Sequence, residues 1–159
     1  MIFHQLIDRF ERLHTKGIVH CDIKPENILM GLNKHSNVVY LLDFGISNFW
    51  FNKNGEHIAL QTNCCLIGTV RYVSVNSHLG YELTRRDDLI GLGYLVYQMM
   101  QGSLPWEDDV NAYSDKCRVV RDKKLKFHTT KAFKQSPTEI QEFMNIVTNL
   151  EYEQKPDYD

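Results

Sequence analysis

At 159 residues the chain has the length of one domain, long enough to bury a real hydrophobic core. Its 43% hydrophobic and 24% charged composition is ordinary for a soluble globular protein. With 18 Lys plus Arg against 20 Asp plus Glu, the formal charge of -2 excludes a general nucleic-acid binder.

The first ten residues carry an early acid and no small-residue cleavage site, so they are not a signal peptide. Ile2, Phe3, Leu6, Ile7, Phe10 and Leu13 recur at three- and four-residue spacing, which predicts an amphipathic helix over 2–16 with Gly17 as its C-terminal cap. That helix opens almost at Met1 with no capping residue before it, as a chain cut inside an element would; a native start at Met1 is the other reading. Residues 28–30 and 38–42 predict two short strands joined through a turn-rich segment, a small hairpin. From residue 43 to about 83 periodicity is poor, yet Phe49, Trp50, Phe51, Leu66, Ile67 and Tyr72 argue for a packed, functional segment.

Thr84, with Asp87 three residues on, predicts a capping box that opens a helix reaching about Gln101. That helix is apolar on every side until its last turn, hence buried, and its run at 89–97 is too short to span a bilayer. A weaker helix is expected over 111–122. Ser136, Pro137 and Glu139, as N-cap, N1 and N3, then predict a last helix to about Leu150. Cys21, Cys64, Cys65 and Cys117 form no Cys-x-x-Cys pair, which fits reduced thiols in a cytoplasmic or nuclear setting.

The chemistry-bearing stretch is His20-Cys21-Asp22-Ile23-Lys24-Pro25-Glu26-Asn27, followed by Asp43-Phe44-Gly45 at the end of the second strand. Phosphoryl transfer needs an acceptor for the hydroxyl proton, a cation near the phosphate and two oxygen ligands for magnesium. Asp22, Lys24, Asn27 and Asp43 are the right types for those four tasks. Together the two signatures resemble the catalytic and magnesium loops of protein kinases. Gly68-Thr69-Val70-Arg71-Tyr72-Val73-Ser74-Val75-Asn76-Ser77-His78-Leu79-Gly80 resembles the casein kinase I family in particular, where a Ser-Ile-Asn-type segment replaces the Ala-Pro-Glu of other kinases. Arg85-Arg86-Asp87-Asp88-Leu89, Gly102-Ser103-Leu104-Pro105-Trp106 and Lys155-Pro156-Asp157-Tyr158 are also similar to that family, so the likeness runs from about residue 5 to the end.

The resemblance implies a mainly α kinase-like fold, the helical large lobe of an α+β kinase with a small β-hairpin at the catalytic loop, and a partial kinase domain over 1–159. It implies ATP and Mg2+ as cofactors. Asp22 becomes the catalytic base, Lys24 the cation at the transferring phosphate, and Asn27 and Asp43 the magnesium ligands. Leu29 becomes the floor under adenine, Leu42 lines the same pocket, and Thr69 braces the catalytic loop. Asp87 becomes the acid that holds the loop backbone from behind. Arg71 and Lys116 become ligands for an acidic or phosphorylated substrate; a local salt bridge for Arg71 and an ordinary solvated lysine for Lys116 are the plainer readings. Asp-x-Lys-x-x-Asn favours Ser or Thr as acceptor. The expected partners are acidic or pre-phosphorylated proteins, with no nucleic acid or membrane, and the expected state is a monomer.

Two departures matter. Cys21 stands where the loop of relatives carries arginine, and reads as a buried inert thiol or a redox-sensitive one. No Gly-x-Gly-x-x-Gly-x-Val and no Val-Ala-Ile-Lys-type strand occurs in the 159 residues; Gly91-Leu92-Gly93 lies inside the apolar helix and is a decoy. The small lobe that covers ATP is therefore expected to be missing and the fragment alone inactive. The alternative is a pseudokinase-like module that binds without transferring phosphate.

Overall fold

A computed structural model describes residues 2–110 and 116–159. Helix α1 (Ile2–Thr15) forms from the expected stripe, with Leu6, Phe10 and His14 buried at four-residue steps. It ends at Gly17, whose backbone is left-handed. Strand β1 (Ile18–Val19) leads into the catalytic loop. Strands β2 (Ile28–Met30) and β3 (Val39–Leu41) pair antiparallel, with Leu29 opposite Tyr40.

The poorly periodic stretch holds two short elements that its pattern did not announce. Strand β4 (Asn48–Phe49) pairs antiparallel with β1, and helix α2 (Val75–His78) follows Ser74, whose side chain accepts from the Ser77 N–H. Two residues of pairing leave no alternation to read.

Helix α3 (Arg85–Gln101) is the spine of the fold, buried from its first turn through Tyr97. Asp87 supplies the expected reciprocal cap, accepting from the Thr84 N–H at 2.8 Å, while the Thr84 hydroxyl donates to the Tyr152 carbonyl. The Gly91–Gly93 pair has a packing role: a Cβ at Gly93 would sit 2.1 Å from Met144 Sδ, and one at Gly91 3.3 Å from Ile23 Cβ and from the Tyr72 carbonyl. The missing side chains let the last helix and the catalytic loop close on α3.

Beyond α3 come α4 (Glu107–Val110), α5 (Lys116–Leu125), α6 (Lys131–Lys134) and α7 (Thr138–Thr148). The helix expected over 111–122 is present from Lys116 and runs on to Leu125; residues 111–115 lie outside the described residues. Ser136 does not cap α7. Its hydroxyl donates to the Phe133 carbonyl at 2.6 Å and finishes α6, which leaves Pro137 at the cap position. Edge-to-face aromatic pairs, Tyr94–Trp106 at 5.0 Å and Tyr97–Phe127 at 4.9 Å, fill the core beneath α3. The Trp106 indole N–H leaves that core to donate to the Arg71 carbonyl at 2.8 Å. The architecture is mainly α, as expected, and among the described residues it has two small two-stranded sheets, the expected β2–β3 hairpin and the β1–β4 pair. Among the described residues no helix is long and apolar enough to cross a membrane.

Candidate active site

The loop over residues 20–27 joins β1 to β2, and α3 holds it from behind. Asp88 accepts from the backbone N–H of His20 at 2.7 Å and of Cys21 at 2.9 Å, and meets His14 Nε2 at 3.0 Å. The sequence reading gave this role to Asp87, and the structure corrects it by one residue. Neighbouring positions on a helix point about 100° apart. Asp87 therefore faces the segment after the loop instead, where it accepts from Ser74 Oγ at 2.7 Å and Asn76 Nδ2 at 2.8 Å. Those two residues are the Ser and Asn of the Ser74-Val75-Asn76 signature. Burial raises the Asp87 carboxyl above its ordinary range, although Ser74, Asn76 and the Thr84 N–H all work to lower it.

Asp22 sits at the centre of the site, 7% exposed. Its Oδ1 accepts from Thr69 Oγ1 at 2.6 Å; its Oδ2 accepts from Lys24 Nζ at 2.5 Å and from Asn27 Nδ2 at 3.3 Å. Asn27 Nδ2 also donates to the Asp22 carbonyl at 2.8 Å. Burial alone would raise the Asp22 pKa, but the hydrogen bonds from Lys24 and Thr69 and the Lys24 charge together hold it below the ordinary value. The carboxylate is thus ionised near neutral pH and ready to accept a proton. The same hydrogen bond raises the Lys24 pKa, so Lys24 stays a cation.

Two backbone features set this geometry. Gly68 is left-handed at φ +92°, and a Cβ there would lie 2.3 Å from the Cys21 carbonyl oxygen, so only glycine lets Thr69 reach Asp22. Cys21 is left-handed as well, at φ +69°. His20, fully buried, locks the loop to the end of β3: Nε2 lies 2.9 Å from the Leu42 carbonyl and Nδ1 accepts from the Asp22 N–H at 3.3 Å. A ring that accepts at Nδ1 carries its hydrogen on Nε2. Burial, helped by the charges of Asp88, Asp87 and Glu82, pushes the Cys21 thiol far up, which makes it a poor thiolate.

The Leu42 N–H donates to the Asn27 carbonyl at 2.9 Å and so brings Asp43 alongside Asn27. Asp43 is exposed and left-handed, with Oδ1 accepting from the Gly45 N–H at 3.2 Å. Asn27 makes both of its side-chain contacts through Nδ2, so its amide oxygen is left over. Two hard oxygen donors fit magnesium, which takes one or two protein ligands and completes its shell with water and phosphate. No cluster of three or more His, Cys, Asp or Glu that could hold a metal ion occurs among the described residues. Leu29 and Leu42, 48% and 40% exposed, lie with Tyr40 on one face of the β2–β3 pair.

The structure joins Asp22, Lys24, Asn27 and Thr69 by direct hydrogen bonds and Asp43 through one backbone bond. Arg71 stands apart, with Nη2 2.8 Å from Glu107 Oε1, the plainer of its two sequence readings. Lys116 is exposed at the start of α5, and no hydrogen bond or ion pair joins it to Arg71. The lysine that does reach this segment is Lys124, which the sequence reading missed. Its side chain is 2% exposed, and Nζ donates to the carbonyls of Val70 at 2.8 Å and Val73 at 2.5 Å, clasping the backbone on both sides of Arg71. Burial lowers its pKa well below the ordinary value. A lone lysine near the end of a polar helix carries no sequence signal for such a position.

Lys124 Nζ also lies 3.4 Å from His78 Nε2. Burial, with the charges of Lys124 and Arg121, lowers the His78 pKa from 6.5 to about 3. The unfolded chain therefore takes up a proton at His78 below pH 6.5 that the folded chain refuses. Stability is expected to fall as pH drops from 6.5 towards 3, with a slope of at most about 1.4 kcal/mol per pH unit from this group. His78→Gln is expected to flatten that limb in urea titrations run at pH 7, 6, 5 and 4; an unchanged limb would contradict the assignment.

The sequence model of the protein kinase domain matches residues 1–157. That span takes in Asp22, Lys24, Asn27 and Asp43 as well as the α3 acids that hold them, and the chain belongs to the protein kinase family, whose members phosphorylate proteins.

Proposed function

We propose that this chain is the large lobe of a Ser/Thr kinase of the casein kinase I type, which transfers the ATP γ-phosphate to acidic or pre-phosphorylated proteins. The observation that carries the reading is the ionised Asp22, held at once by Thr69, Lys24 and Asn27. Asp22 accepts the proton of the substrate hydroxyl, and Lys24, partly exposed beside it, offers its charge to the transferring phosphoryl group. Asn27 and Asp43 would hold magnesium, which supplies charge neutralisation on the phosphates. Lysine at the second position after the base supports Ser or Thr as acceptor, and the Asp87 contacts to Ser74 and Asn76 support the casein kinase I type. For Arg71 to meet a substrate anion, that anion must displace Glu107.

The apolar face around Leu29 and Leu42, and a 159-residue sequence without a Gly-rich loop, support the view that the chain needs a small lobe to hold ATP. The test compares the 159-residue protein with a form carrying upstream coding sequence, both given magnesium ATP and an acidic or primed peptide. Transfer is expected only from the longer form, which should also unfold at a higher temperature. Silence from both would favour a non-catalytic binding module, the reading that Cys21 and the lack of a Gly-rich loop in these 159 residues favour.

A further inference from the structure

Arg85 opens α3 beside the two aspartates yet takes part in neither of their networks. Its side chain is 6% exposed, and Nη2 donates to the Glu153 carbonyl at 2.6 Å. The guanidinium carbon lies 3.9 Å from the centroid of the Trp50 ring. No acid pairs with Arg85 among the described residues, and its buried Nε has no hydrogen-bond partner. An unpaired ion held out of water is costly even after relaxation, and an aromatic face offsets only part of that cost.

The deficit borders a pocket of about 230 Å³ walled by His14, Thr15, Trp50, Arg85, Lys155 and Tyr158. Lys155, exposed at the rim, adds a second cation, and no acid lines the wall. Asp88 and Glu11 are the acids whose charges reach Tyr158. Asp88 is already engaged by His14 and by the His20 and Cys21 amides, so it does not neutralise Arg85.

We propose that this pocket is an oxyanion site that takes a phosphate group, with the Arg85 guanidinium supplying buried positive charge in its wall, Lys155 Nζ as the donor at its rim and Trp50 as one wall. Two cations match the charge of a phosphate dianion. The site shares no residue with Asp22, Asn27, Asp43 or Arg71, and binding there needs no phosphoryl transfer. It can therefore be tested without ATP.

The 159-residue protein would be titrated calorimetrically with inorganic phosphate and with phosphoserine at constant ionic strength, against a sodium chloride control. Saturable binding is expected, weakened about tenfold or more by Lys155→Gln, the loss of one charge-assisted hydrogen bond. Arg85→Gln removes the buried charge and should weaken binding too; if it fails to fold, Lys155→Gln decides alone. Tighter binding of phosphoserine would mean that the group arrives on a side chain, equal binding that the free anion suffices; both support the site. Heats that chloride reproduces, equal affinity in Lys155→Gln, or binding abolished by Arg71→Gln would each overturn it.

Discussion

Asp88→Ala is expected to destabilise the protein by about 3–5 kcal/mol, the range seen when one partner of a buried charged network is removed. The change strands three polar groups at once: the His20 and Cys21 amides and the His14 ring nitrogen. Each buried group left without a partner costs about 1–3 kcal/mol. The loop would open first, because Cys21 holds a left-handed backbone that its surroundings must impose. Urea unfolding of the wild type, Asp88→Ala and Asp88→Asn measures this directly. Asn keeps one acceptor oxygen, so its loss should be clearly smaller. Asp87→Ala makes the control for the one-residue register: it should free Ser74, Asn76 and the Thr84 amide while the His20 and Cys21 amides stay protected from exchange. If instead Asp88→Ala unfolds with the wild-type midpoint, the loop is held by something other than this carboxylate.

Asp22→Asn, made in the longer, ATP-competent form, is expected to lower kcat by about 10²–10⁴, the usual contribution of a positioned base. Stability should fall only modestly, because the Asn oxygen at the Oδ2 position can still accept from Lys24 and Asn27 while its NH2 turns to the Thr69 hydroxyl, which can accept. KM for ATP should also hold, since the hydrogen bonds of Asp22 run to Thr69, Lys24 and Asn27 and not to Leu29, Leu42 or Asp43. Thr69→Ala should fall between, because it removes one hydrogen bond from Asp22 and leaves the charge pair with Lys24. A kcat within threefold of wild type for Asp22→Asn would remove the base from the scheme; activity lost together with the fold would show that Asp22 is structural first.

The parts legible in the sequence were those whose determinants are neighbours in the chain. The α1 stripe, the β2–β3 hairpin and the α3 cap each lie within one short window, and so do Asp22, Lys24 and Asn27. Two of the misses depend on distant contacts, and one on a local competition. Asp87 and Asp88 are chemically identical, and only the rotation of α3 about its axis decides which one faces the loop. Ser136 had two acceptable uses for its hydroxyl, and the Phe133 carbonyl took it. Lys124 looks like any helix lysine until Val70 and Val73, more than 50 residues away, place their carbonyls above it.

The hold on the catalytic loop reaches the far end of the chain. Tyr158 meets His14 Nδ1 at 2.7 Å across 144 residues, and the carbonyls of Leu150, Tyr152 and Glu153 receive Arg86, Thr84 and Arg85 at the start of α3. A ribosome delivers the chain from one end at about 5–20 residues per second, so roughly 7–30 s separate the emergence of His14 from that of its last partner. Through that interval the nascent chain carries the proton acceptor and magnesium ligands of a kinase without the geometry to use them, and presents the apolar stripe of α1 to whatever meets it. Delivery of residues 150–158 then acts as a timer: the residues of the active centre are synthesised well before their positions are set.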